Sequence, residues 1–339
     1  AEICDAKGLY VGPGFVDIHN HGGGGYYFYE NPEGAAAHFL AHGETTVLPT
    51  LYTNLDKKAM LDAIKLIKSC MGKGAGRAIG GIYMEGPYMN PKYGAMPERN
   101  KWCGEIRADM YEDVVDALGT VVKVWAIAPE REGLIPFLKK AKAVNPSVMF
   151  SVAHSEATPA QINALKPYGI GNQTHCMDAT GRVETASGTR SCGPDEACFL
   201  DKDMYAEVIC DSLAVHVHAD MMQLILAVKG KDKIVLITDA DASALPNPPQ
   251  FAHVKDLSYD YGGNLCGSKL TSDATVRNAM KYMNISISDA FLMAARNPAR
   301  VIGMDKEIGT LAVGKRANII FVDDAINVDR VMIDGEFVK

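Results

Sequence analysis

Eight short apolar runs, each ending in polar or glycine-rich residues, constrain this chain more than any other feature. They are Phe15–Ile18, Thr45–Pro49, Ile79–Met84, Val121–Ala128, Val148–Ala153, Ile170–Thr174, Ala206–Cys210 and Ile234–Thr238. Most are separated by helix-length segments with apolar residues three or four apart, namely Pro32–His42, Asp56–Cys70, Asp109–Leu118, Glu132–Val144, Pro159–Lys166 and Ala219–Lys229. Strands that alternate with helices pair in parallel through crossovers, and eight such units close into an α/β fold, a (β/α)8 barrel of TIM type. The doubly wound open sheet is the alternative. A length of 339 residues with 47% apolar composition supports either, because such a chain can bury one large core.

Past the eighth run the pattern changes. A polar, proline-rich stretch at Asn247–Gln250 and a turn at Gly262–Asn264 lead into two expected helices, Thr271–Tyr282 and Ser288–Ala295, the second closed by Asn297-Pro298. The segments Ile308–Val322 and Val328–Val338 read as short β runs broken by glycine, and Ala1–Tyr10 is placed to add a strand or two beside them. The expected organisation is a barrel over residues 12–303 and a small β-sandwich appendage from residues 1–11 and 304–339, whose N-terminal share reads as incomplete.

Several classes of function are excluded at this level. No apolar run approaches 18 residues, so no membrane span is expected, and AEICDAKGLY has neither the basic start nor the long apolar core of a signal peptide. A formal charge of −7 argues against nucleic acid as a partner. The eight cysteines, at 4, 70, 103, 176, 192, 198, 210 and 266, form no CxxC pair, which favours reduced thiols and a cytoplasmic setting.

The active site of such a barrel forms where its strands end. Strand one ends in Asp17-Ile-His-Asn-His21, placing His19 and His21 on one side of an extended segment. Strand three ends at Glu85, strand five at His154, strand six at His175 and strand eight at Asp239, while His216 and His218 follow strand seven. A single histidine at a strand end is usually a hydrogen-bonded structural group, and HxH alone is a weak signal. Independent structural histidines, however, have no reason to gather at the same end of several strands. The set therefore points to a divalent metal, zinc or iron, in a catalytic site of imidazoles and carboxylates.

In order along the chain, HNH, MEGP, AHSEAT, THCMDAT, DSLAVHVH and ITDA resemble the N-acetylglucosamine-6-phosphate deacetylases of the amidohydrolase superfamily, and IGTLAVGKRANIIFVD resembles the closing segment of that superfamily. The resemblance runs from Gly12 to Val338. It implies Glu85, His154 and His175 as principal metal ligands, and His19 and His21 as ligands of a second ion in those members that hold two. It further implies Asp239 as general acid and base, and His216 as a contact to the substrate. Arg190 is implied as the arginine for the sugar phosphate, with Arg182 as the nearby competitor. Ala179, Leu270 and Thr271 would line the substrate, which would be N-acetylglucosamine 6-phosphate cleaved to glucosamine 6-phosphate and acetate, and homodimers are common in the family.

Two residues depart from that family pattern. Met96 stands where the family usually carries His or Gln, and a thioether neither donates a hydrogen bond nor binds hard ions well. Asp178 stands where an asparagine helps bind phosphate, and a carboxylate there repels phosphate unless it turns away to pair with Arg182. An unphosphorylated or different N-acyl amino sugar is the consequent alternative. A cyclic amidase or deaminase is another, although no lysine ends strand four, where Trp125–Pro129 stands. A catalytically silent metal-binding protein is a third, against which the retained Asp239 argues.

Overall fold

The computed structural model describes residues 3–339. All eight apolar runs are strands of one sheet: Phe15–Asn20, Glu44–Leu51, Ile82–Glu85, Val122–Ile127, Met149–Val152, Ile170–Gln173, Tyr205–Ile209 and Ile234–Ile237. Each pairs in parallel with the next. The first and eighth meet through a parallel bridge between Asn20 and Ala240, and through hydrogen bonds from Asp239 N to His19 O (2.9 Å) and from His21 N to Ala240 O (2.7 Å). The sheet is thus a closed (β/α)8 barrel, as its strand pattern implies, and the open-sheet alternative is overturned.

Period-two alternation divides the core. Ile82 and Met84, like Ile234 and Leu236, pack outward under the helices. Tyr83, Val235 and Ile237 belong to a second cluster that fills the barrel. Helices Pro32–Ala41, Lys57–Cys70, Ala108–Leu118, Leu134–Val144, Pro159–Leu165 and Ala219–Lys229 occupy the expected crossovers. The first two start on side-chain caps, Asn31 accepting from Gly34 N and Asp56 from Ala59 N. The sixth crossover holds an additional helix, Pro194–Leu200.

The expected turn at Gly262–Asn264 closes a hairpin of Leu257–Tyr259 with Leu265–Ser268, where the Asp260 carboxylate accepts from Gly262 N (2.8 Å) and Asn264 N (2.9 Å). The helix Ser272–Met283 follows and completes the ring. Asn297-Pro298 does not end the last helix, contrary to expectation. Ile287–Phe291 passes through a π turn at Leu292–Arg296 into Asn297–Val301. The wider turn accommodates a proline that has no N–H to give and would otherwise press on the preceding turn.

The two chain ends pair as expected, in a four-stranded antiparallel sheet ordered Tyr10–Pro13, Ile319–Val322, Val328–Ile333, Glu336–Phe337. The N-terminal contribution is one strand, Tyr10–Pro13, paired with Ile319–Val322. Ala1 and Glu2 of the expected N-terminal segment lie outside the described residues. Among the described residues the chain ends form this one sheet, no helix is long and apolar enough to cross a membrane, and all eight cysteines are free.

Candidate metal centre

Three of the residues that end barrel strands leave the strand by a left-handed backbone: His154 (φ 43°), His175 (φ 27°) and Asp239 (φ 48°). Side chains larger than glycine rarely adopt this region, and strain of this kind gathers where side chains must be aimed. Here it turns all three toward Glu85. One Glu85 oxygen, Oε1, lies 2.7 Å from His154 Nε2 and 3.1 Å from His175 Nε2, and those two nitrogens are 3.2 Å apart. The other oxygen, Oε2, lies 3.1 Å from His21 Nε2 and 3.5 Å from His19 Nε2. Asp239 Oδ1 faces the same pair, at 3.3 Å from His21 and 3.5 Å from His19.

The centre therefore comprises two triads, Glu85/His154/His175 and His19/His21/Asp239, each with its ligand atoms within 4.8 Å of one another. Glu85 presents one oxygen to each. The fit to metal ions is visible in what these nitrogens lack. His19 Nε2 is buried without a hydrogen bond of proper geometry, and His154 Nδ1 is buried with no partner. The imidazole of His175 donates from Nδ1 to Asp178 O (3.2 Å), which leaves Nε2 to ligate.

Burial works against charge on these imidazoles, but the carboxylates outweigh it. Asp239 and Glu85 lift His21 to about 9, Glu85 lifts His175 to about 9, and Glu85 with Asp239 raises His19 well above the ordinary imidazole value. In return, against burial, His19 holds both Glu85 and Asp239 below the ordinary carboxylate range. At pH 7 the metal-free protein thus keeps protons on His21 and His175 that an entering ion must displace. Zinc loading should release protons at pH 7, and apparent affinity should rise with pH up to about 9. A pH-stat titration at pH 7 and pH 9.5 checks this, and equal proton release at the two would contradict it.

A cavity opens over the centre, lined by His21, Glu85, His154, His175 and Asp239 and by the predicted Met96, Asp178 and Ala179. The remaining predicted substrate residues lie elsewhere. Arg190 is exposed and paired with Glu196 (3.2 Å), outside the cavity lining. Leu270 is packed in the barrel cluster, and Thr271 donates to Asp273 Oδ1 at the start of a helix. The ring of His216 is buried behind the wall, with Nδ1 3.0 Å from Asp211 Oδ2 and Nε2 3.0 Å from Gly267 O. Both partners accept, so His216 braces the strand-seven loop against the hairpin as a protonated ring; burial opposes that charge and Asp211 sustains it. His218 is exposed and caps the following helix. Gly267, at φ +59°, runs so close to the barrel that a Cβ there would meet Asp239 O at 2.5 Å.

Sequence reasoning missed the aromatic wall of Tyr27, Tyr29 and Tyr52, the acid Asp241, and Arg99. Arg99 lines the rim with its guanidinium 5.1 Å from the Tyr261 ring, and Asp178 forms no ion pair with Arg182. Cys266 also lines the cavity, where burial and Asp241 push its thiol up, so it forms wall and not nucleophile.

The model of the amidohydrolase family matches residues 10–338. The chain is 30% identical over 336 residues to the N-acetylgalactosamine-6-phosphate deacetylase of Escherichia coli O157:H7, covering 96% of this chain and 86% of that protein. It superposes on the N-acetylglucosamine-6-phosphate deacetylase of Pasteurella multocida with a TM-score of 0.85 at 27% identity, over 98% of this chain and 88% of the other. A variant of the N-acetyl-D-glucosamine-6-phosphate deacetylase of Mycobacterium smegmatis, in complex with N-acetyl-D-glucosamine-6-phosphate, gives a TM-score of 0.82 at 28% identity, over 97% and 87% of the two chains.

Proposed function

The chain belongs to the amidohydrolase family, and from that premise we propose that it hydrolyses the acetamide of an N-acetylated amino-sugar 6-phosphate, releasing acetate and the free amine. N-acetylglucosamine 6-phosphate is the leading substrate. The galacto epimer is the second reading, because a relative at 30% identity carries that name. The observation that carries the proposal is the shared carboxylate of Glu85 between two imidazole-bearing triads at the floor of a cavity.

Glu85, His154 and His175 would hold one divalent ion, and His19, His21 and Asp239 a second, with zinc or iron suited to this nitrogen and oxygen set. An ion so held acidifies water and polarises an amide carbonyl, the two things an acetamide needs to react. Asp239, which faces His19 and His21 at the cavity floor, takes the proton of the attacking water, then passes it to the departing amine. The tyrosine wall and Met96 present apolar surface to the sugar, and Asp178 accepts hydrogen bonds from sugar hydroxyls. His216 acts at one remove, holding Gly267 and its hairpin against the cavity.

Among the described residues Arg99 is the one Lys or Arg that lines the cavity, and we assign the phosphate to it in place of Arg190. A charge-assisted hydrogen bond contributes about 1.5–3 kcal/mol, so Arg99→Gln should raise KM for the 6-phosphate about 10- to 100-fold and leave the unphosphorylated sugar unchanged. Arg190→Gln, which breaks an exposed pair, should change neither. Acetate release from N-acetylglucosamine, its 6-phosphate, and the galactosamine and mannosamine analogues, with metal analysis of the same sample, tests the function. No release from any of them with zinc, iron(II) or manganese supplied would reject it. The same preparation, by light scattering, tests the homodimer that the family resemblance implies.

A further inference from the structure

Asp17, Glu44, Glu207 and Asp211 are fully buried carboxylates outside both triads, and the side chain of Glu207 meets the imidazole of a triad histidine. Glu207 sits on the seventh barrel strand, fully enclosed, with apolar neighbours Ala206, Val208 and Ile209 buried beside it. Its Oε1 accepts from Asn172 Nδ2 (2.6 Å) and from the Tyr83 hydroxyl (3.3 Å), while Oε2 lies 3.3 Å from His19 Nδ1. Among the described residues it pairs with no Lys or Arg, and His19 is the one ion-pair partner it has. Enclosing an anion in a barrel is costly unless a cation or a strong donor answers it.

The surroundings hold this arrangement firmly. Tyr83 is fixed by Thr174 (2.7 Å), Thr174 by Ser151 (2.6 Å), and Ser151 accepts from the same Asn172 (3.0 Å) that serves Glu207. The ring of Tyr83 also lies against that of His19, with centroids 4.5 Å apart. His19 is thereby set with Nδ1–H toward Glu207 and Nε2 toward Glu85 and Asp239, at 3.5 Å from each and hydrogen-bonded to neither. His175, by contrast, is backed by a neutral carbonyl, and His154 Nδ1 has no partner.

We propose that Glu207 is a positioning residue that fixes His19 as an Nε2 ligand and so secures the second ion of the pair, the one held by His19, His21 and Asp239. This rests on the reading of the cavity floor as a metal centre. A carboxylate behind a ligating imidazole sets its tautomer, steadies its plane and makes the ligating nitrogen more basic. Glu207 thereby makes the HxH arm a binding site, and the other triad needs no such support.

The full-length protein tests this in chelator-buffered zinc. The wild type should take up two ions per chain, and Glu207→Gln should keep the tighter ion with unchanged affinity while binding the other about 10- to 100-fold more weakly. A residue that merely filled the barrel would move thermal stability without separating the two ions. With manganese, the spin-coupled resonance of an ion pair in the wild type should give way to that of an isolated ion. Two ions at wild-type affinities in Glu207→Gln, equal weakening of both, or a wild type that holds a single ion would each overturn the proposal. Should Glu207→Gln fail to fold, nitrogen-15 spectra of the zinc-loaded wild type decide: a proton on His19 Nδ1 supports it, and zinc on Nδ1 overturns it. A wild type that binds no ion at all would instead remove the metal reading itself.

Discussion

Asp239→Asn is expected to lower kcat by about 10³-fold, which is about 4 kcal/mol of barrel-mouth chemistry lost, with KM little changed. Asparagine keeps an oxygen where Asp239 Oδ1 faces His19 and His21, so it retains shape and part of the ligand field. What it cannot do is accept a proton from water and return it to an amine. The ion at Glu85, His154 and His175 should therefore persist, and metal content of at least one ion per chain separates loss of proton transfer from loss of metal. A variant that turns over at the wild-type rate removes Asp239 from that role.

Glu85→Gln should have the other large effect, through the metal. Each Glu85 oxygen faces a different triad, so the single substitution weakens both. The loss should exceed the 10- to 100-fold that removal of an outer-shell partner costs, leaving the purified protein nearly metal-free and inactive. The fold should survive, since Glu85 contributes to the mouth and not to the apolar clusters. Elemental analysis against a circular dichroism spectrum checks both halves, and a fully loaded Glu85→Gln protein would contradict the shared-carboxylate geometry.

Much of this was legible in the sequence because barrel strands are short, buried and bounded. The run Ile79–Met84 is read from its apolar side chains alone, and the rule that active sites sit where strands end then delivers Glu85, His154, His175 and Asp239. Residues that depend on loop geometry were not legible in that way. Arg190 is implied by the family resemblance, yet its loop carries it to the surface beside Glu196. Arg99 enters the rim from a three-residue 3-10 turn, Pro97–Arg99, too short to show a periodic pattern. The imidazole of His216 was expected at the substrate, but Asp211 and Gly267 O occupy both its nitrogens. Glu207 did leave a signal, a charged residue inside an otherwise apolar strand. Such a residue asks for a partner, but only the fold shows that the partner is His19.

The joint between the first and eighth strands has a further meaning. Asp239 N bonds to His19 O and His21 N to Ala240 O, so residues some two hundred positions apart are brought together where a single bridge, and not a full ladder, joins the sheet. Closure of the barrel and the meeting of Asp239 with the HxH histidines therefore occur at the same joint. An opening confined to this joint would separate Asp239 from His19 and His21, and an ion held by these three residues would oppose it. Amide exchange at Asp239 and His21 should therefore report the state of this joint separately from exchange in the central strands.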